Sequence, residues 1–73
     1  MFQVLVVEDD TILRELFCNV LTDHGYTPVP ARDGLEAFDI LDDTHIDLII
    51  TDSGTDPKVI EQFREAGVKV QVV

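Results

Sequence analysis

The chain has seventy-three residues, fifteen of them acidic and five basic, for a formal net charge of -10, and 45% of it is hydrophobic. At that length folding buries only about 60% of the unfolded surface, which leaves room for one small domain and argues against a second. No apolar run approaches the roughly 20 residues of a membrane helix, the first residues lack the basic flank of a signal peptide, and the five cations are scattered among acids, so a cytoplasmic chain that binds neither membrane nor nucleic acid is expected.

The first apolar run, Phe2 to Val7, is short and rich in Val, and ends in Glu8-Asp9-Asp10. A continuous run of that length predicts a strand buried on both faces. Leu13, Leu16, Phe17, Val20 and Leu21 then recur at helical spacing, with Asp10 as N-cap and Gly25 as the stop. Tyr26 to Ala31 reads as a second strand, and its two prolines, Pro28 and Pro30, lie two apart, so both missing N–H groups point to the same side and place it at a sheet edge.

Asp33-Gly34-Leu35-Glu36 has the form of a capping box, and Leu35, Phe38 and Leu41 continue a second helix to Asp42-Asp43. Ile46 to Thr51 predicts a third strand, ending at Asp52. Asp56 and Pro57 offer an N-cap and a first-turn proline to a third helix, with a stripe of Val59, Phe63 and Ala66 and a stop at Gly67. The last residues, Val68 to Val73, alternate apolar and polar, as a strand with one wet face would.

Strands alternating with helices at this spacing predict an α/β fold, a doubly wound parallel sheet with helices on both faces and right-handed crossovers. In such sheets ligands gather beyond the carboxyl ends of the strands, where strand order reverses. Glu8, Asp9, Asp10 and Asp52 all lie at such ends. If the first and third strands are neighbours, three or four carboxylates converge, and such a cluster needs protonation or a hard divalent ion such as Mg²⁺ to relieve its repulsion. An Asp beside Mg²⁺ can also act as a nucleophile towards a phosphoryl group. Taken singly, Asp10 reads as a helix cap and Asp52 as a turn former; their conjunction carries the signal.

The segments Val4-Leu5-Val6-Val7-Glu8-Asp9-Asp10, Gly25-Tyr26, Ala31-Arg32-Asp33-Gly34-Leu35-Glu36-Ala37 and Asp47-Leu48-Ile49-Ile50-Thr51-Asp52 together resemble the receiver domain of two-component response regulators. The resemblance implies a flavodoxin-like (CheY-like) fold, with the second strand outside the first and the third on its other side. It makes Asp52 the phosphoacceptor, Asp9 a Mg²⁺ ligand, Glu8 its acidic partner, Gly54 a backbone-carbonyl ligand and Asp10 the cap. It further implies a phosphorelay role: a phosphoryl group is taken from a histidine kinase or phosphotransfer protein, and the acyl phosphate shifts the domain between conformations that partners read.

The segment after Asp52 departs from the family pattern, because Pro57 comes five residues on and the usual Asp-Gly is missing. Residues 1–73 also end before the positions at which the family places a Ser or Thr on strand 4 and a Lys on strand 5. The expectation is therefore a partial receiver domain of about four strands and three helices, with apolar residues of the first and third strands left uncovered and free to pair copies of the chain. The domain is expected to be a phosphoacceptor and not an enzyme. The alternative is a degenerate receiver-like interaction module that is never phosphorylated.

Other chemistries fit less well. A phosphatase with an aspartate nucleophile usually carries a second Asp where Gly54 stands, Asp52 to Phe63 lacks the Gly and Glu of a calcium loop, and no glycine-rich dinucleotide fingerprint follows the first strand. Lys58 reads as a helix-surface residue, Cys18 as a packed or half-packed thiol, and His24 and His45 as surface or loop residues.

Overall fold

In the computed structural model, which covers residues 1–73, the first apolar run becomes strand β1 (Gln3–Val7), and Val4, Leu5, Val6 and Val7 are all buried. They are buried from both sides because β1 has a neighbour at each edge: β2 (Thr27–Ala31) on one and β3 (Leu48–Thr51) on the other, with β4 (Lys69–Val72) beyond β3. All pairs are parallel, giving the order β2-β1-β3-β4. Between them run α1 (Thr11–Asp23), α2 (Gly34–Asp43) and α3 (Pro57–Glu65). The predicted element order, the four strands and three helices and the implied strand order all match.

The prolines of β2 sit opposite Val4 and Val6, on the outermost strand, where their missing N–H groups leave no rung of the ladder broken. Third-strand pairing starts two residues later than the apolar run suggested. The Gln3 N–H donates to Asp47 Oδ2 at 2.8 Å while the Asp47 N–H donates to Gln3 O at 2.9 Å, so a side-chain oxygen takes the place of a ladder carbonyl and regular strand begins at Leu48. In β4, Lys69 and Gln71 are exposed and Val70 and Val72 half-buried, which is the expected wet and dry alternation.

The caps follow local chemistry. Asp10 Oδ1 accepts from the N–H groups of Ile12 and Leu13, Asp33 Oδ1 from Glu36, and Asp56 Oδ1 from Lys58, each satisfying a first-turn donor that has no partner inside its helix. The second cap is a shifted box: Glu36 Oε1 accepts from the Arg32 N–H at 3.1 Å, one residue before the expected partner. Gly25 and Gly67, at φ of 85° and 84°, close α1 and α3 in the left-handed region where a side chain would be strained.

One face of the sheet carries the core. Leu5, Val7, Ala31 and Ile49 meet Ala37 from α2 and Phe63 from α3, and the Phe38 and Phe63 rings lie 4.9 Å apart, tying the two helices together. The opposite face is covered by α1 alone, which buries no residue fully. Phe17 and Leu21 are half-buried, while Leu13, Leu16 and Val20 remain 42–53% exposed. The uncovered apolar surface thus differs in place from the expected one: Val4 and Val6 of β1 are sealed, only Leu48 and Ile50 of β3 are half-open, and the main exposed stripe is on α1 itself. The helix lies over β2 and β1, so the side of its stripe turned away from them has no strand beneath it.

Phe63 is fully buried at the junction of α2, α3 and the sheet. Phe63→Ala is expected to cost about 3–5 kcal/mol, a large share of the stability of so small a domain, and to lower the urea midpoint sharply. Ile12→Ala, at a position 78% exposed, is expected to leave that midpoint unchanged.

Candidate functional site

The register of the central pair builds the site. Val7 lies opposite Thr51, so the residues that follow them, Glu8 and Asp52, leave the sheet side by side at its carboxyl end. This is the point at which the chain, having gone outward from β1 to β2, crosses back to β3. Residues of the three strand ends, with Gly54, Thr55 and Asp56 of the loop before α3, line a cleft of about 340 Å³. Glu8, Asp9 and Asp52 each bring a carboxylate oxygen within 4.8 Å of the others.

Asp10 is not among them. Its carboxylate is engaged by the first turn of α1, so the candidate cluster has three members and not four. The three differ in environment: Glu8 is only 4% exposed, Asp52 is half-buried and Asp9 lies open to solvent. Burial, followed by a hydrogen bond with Asp52 and the charges of Asp52 and Asp9, pushes the Glu8 carboxyl from an ordinary 4.5 up to about 7. Asp52 moves the other way, held below its usual range by the hydrogen bond from Glu8 and then by the N–H groups of Gly54 and Thr55. The two carboxyls are thus driven apart, the buried Glu8 towards its protonated form and Asp52 towards its ionised one.

Backbone anchors hold the acids in place. The Glu8 N–H donates to Ala31 O at 3.0 Å, and Arg14 Nη1 donates to Glu8 O at 2.9 Å, tying the strand end to both β2 and α1. Gly54 lines the cleft and donates its N–H to Asp52 Oδ1; a Cβ at this position would come within 3.0 Å of that oxygen. The contact seen at Gly54 is made by its amide. Thr51, buried beneath Asp52, shares a 2.6 Å hydroxyl contact with Thr55, which fixes the loop against the end of β3.

An all-oxygen set of this kind, one side closed by the sheet and the other open to water, suits a hard divalent cation. Glu8, Asp9 and Asp52 would hold it, and doing so requires Glu8 to give up its proton. The remaining candidates lie elsewhere. Lys58 is an exposed residue of α3 outside the cleft, as its position on the helix suggested. His24 closes α1 through Val20 O, His45 pairs with Asp47 at 2.9 Å, and burial raises the pKa of the half-buried Cys18 thiol. Sequence reasoning missed Arg32, which lines the cleft; its signal was its place directly after the β2 run, at the third strand end of the same rim.

The raised Glu8 pKa has a consequence for stability without metal. The folded chain keeps a proton that the unfolded chain releases near 4.5, so this contribution is complete below about 4.5 and is lost as pH rises through about 7. Asp52 contributes in the opposite sense, through stability present above its ordinary 3.8 and lost as pH falls below it. The melting temperature in a chelator is therefore expected to fall from about pH 5 to about pH 8, and Glu8→Gln is expected to flatten that slope.

The response regulator receiver domain family matches residues 4–72. Similar proteins include the polar-differentiation response regulator DivK of Brucella ovis, 39% identical over 49 residues that make up 67% of this chain and 40% of DivK. A receiver protein from Pseudomonas putida superposes with a TM-score of 0.88 at 31% identity, over 99% of this chain and 66% of that one. The response regulator TrrA of Thermotoga maritima, solved in complex with Mg²⁺–BeF, does so with a TM-score of 0.82 at 28% identity, again over 99% and 66%. The chain thus spans just under two thirds of these solved receivers and less of DivK. With the match running over nearly its whole length, the chain belongs to the response regulator receiver domain family.

Proposed function

We propose that the chain is a phosphoacceptor module of a two-component phosphorelay, taking a phosphoryl group on Asp52 from a histidine kinase or phosphotransfer partner in the cytoplasm, with Mg²⁺. The observation that carries this reading is the geometry of the carboxyl rim: Glu8, Asp9 and Asp52 each bring a carboxylate oxygen within 4.8 Å of the others, and Asp52 is half-buried in the cleft wall with its pKa held below the usual range. An ionised carboxylate is the form that attacks phosphorus. In the transfer a new Asp52 Oδ–P bond forms as the donor's N–P bond breaks, and the electron pair leaves with the donor's imidazole nitrogen, which takes up a proton. Mg²⁺, when bound, supplies positive charge against the phosphoryl oxygens. Glu8 and Asp9 would hold it with Asp52, since their carboxylate oxygens converge, and the Mg²⁺–BeF complex of the similar TrrA supports Mg²⁺ as the ion. Gly54, two residues after the acceptor, would contribute its carbonyl if the loop turned.

The domain on this reading is a substrate and signal carrier and not an enzyme. The second reading, a receiver-like interaction module that is never phosphorylated, is favoured by the acidity of the cleft, since Asp33 and Asp56 line it besides the three clustered acids. Incubation with phosphoramidate or acetyl phosphate and Mg²⁺, followed by intact-mass measurement, separates the two. One phosphoryl group per chain is expected, lost in Asp52→Asn and on adding a chelator; no adduct, or one that persists in Asp52→Asn, overturns the phosphoacceptor reading.

The α1 stripe supports a homodimer of the 73-residue chain, formed by Leu13, Leu16 and Val20 of two copies. A charge of -10 on each copy opposes it, so sedimentation is expected to show association that strengthens with protein concentration and with salt. Leu16→Asp should give a folded monomer whose melting temperature no longer rises with protein concentration, and a wild-type monomer at every concentration would refute the pairing.

A further inference from the structure

We propose that Arg32 is a catalytic residue of the phosphoryl transfer, placing its guanidinium on the non-bridging oxygens of the group that moves to Asp52. The inference rests on the phosphoacceptor reading and adds to it a cation for the phosphoryl oxygens. The cleft is lined by five acids, Glu8, Asp9, Asp33, Asp52 and Asp56, and by one cation, Arg32. An incoming phosphoryl group brings about two further negative charges. A divalent ion held by Glu8, Asp9 and Asp52 is largely neutralised by those ligands, so the phosphoryl oxygens turned away from it face Asp33 and Asp56 unless another positive group intervenes.

The other four cations are not placed to do this. Arg14 donates to Glu8 O, Lys58 is exposed on α3 outside the cleft, Arg64 pairs with Glu61 of its own helix, and Lys69 opens β4 at the amino end of the sheet, opposite the site. Arg32 has both the position and the freedom. Its backbone follows the fully buried Ala31 and donates its N–H to Glu36 Oε1, so its root is fixed at the cleft rim. Its head is held only by Nε, 3.5 Å from Glu36 and 4.0 Å from Asp33, with the side chain 73% exposed. Exposed pairs of that kind are weak. A guanidinium fork that exchanges them for two phosphoryl oxygens gains short, bidentate, charge-assisted contacts. No proton passes through Arg32 in this step: the donor's N–P bond breaks with its electron pair leaving on nitrogen, which takes up a proton, the bond to Asp52 forms, and Arg32 remains a cation throughout.

The test uses the 73-residue chain with phosphoramidate as donor and intact mass as readout, comparing wild type, Arg32→Ala and Arg32→Lys. Arg32→Ala is expected to lower the rate per donor concentration by roughly tenfold, with Asp52 still the acceptor and with melting temperature and half-saturating Mg²⁺ unchanged. Arg32→Lys is expected to recover part of that loss, and Glu36→Gln, which removes the ion pair and keeps Arg32, is expected to leave the rate unchanged. Arg32→Ala at the wild-type rate, or a loss that is accompanied by a shift in half-saturating Mg²⁺, overturns the role of Arg32 and leaves the phosphoacceptor reading standing. A wild-type chain that gains no phosphoryl group on Asp52 overturns both.

Discussion

The parallel pairing of β1 with β3 is the constraint on which the rest of the molecule depends. Its register, Val7 against Thr51, forces Glu8 and Asp52 to emerge together, with carboxylate oxygens within 4.8 Å of each other at the carboxyl rim of the sheet. Glu8 is 4% exposed, so little water screens its charge, and burial raises its pKa. The same pairing buries β1 on both edges and makes it the spine against which α2 and α3 pack. The core and the acidic site are thus two ends of one strand, and a change that loosens β1 is felt at both.

Stability and chemistry pull against each other at this strand. The apolar residues of β1 gain from burial, while the acid that ends it is buried at a cost that grows with pH. Arg14 and Ala31 hold Glu8 by its backbone only, which positions the residue without neutralising its carboxyl. A site arranged in this way gains most from a divalent cation, whose charge would offset that of the clustered acids. The surrounding loop holds Asp52 in place: the Gly54 amide faces it, and the Thr51 and Thr55 hydroxyls brace the turn, so the Asp52 carboxylate stays at the surface while Glu8 is sealed.

The two faces of the sheet are unequal. Beneath α2 and α3 lies a closed cluster with an aromatic pair at its centre, whereas α1 rests on the other face with half of its apolar stripe in solvent. The polar residues of β4 on that side, Lys69 and Gln71, accord with a wet face at this edge. Apolar surface therefore collects on one helix, while negative charge collects at the carboxyl rim. The two surfaces lie apart, one on the helix face and the other at the rim of the cleft.

Element order, helix caps, the edge position of the proline strand and the identity of the acids were legible in the residues themselves, because each rests on local chemistry: apolar period, an Asx side chain beside a first turn, a proline without its N–H. The resemblance to receivers added strand order and roles for Asp9, Asp52 and Gly54. The division between Asp10 as cap and Asp9 as site acid was legible too, from the cap position and the resemblance, but the distances that bring Asp9 to Glu8 and Asp52 were not, because they depend on the pairing of β1 with β3. Nor was the raised pKa of Glu8, the start of β3 at Leu48, the choice of Arg32 over Lys58 as the cleft's cation, or the exposure of α1 in place of β1. Each of these depends on burial and side-chain direction, which are properties of neighbouring strands and helices brought together from distant parts of the chain, and are decided only when the tertiary structure forms.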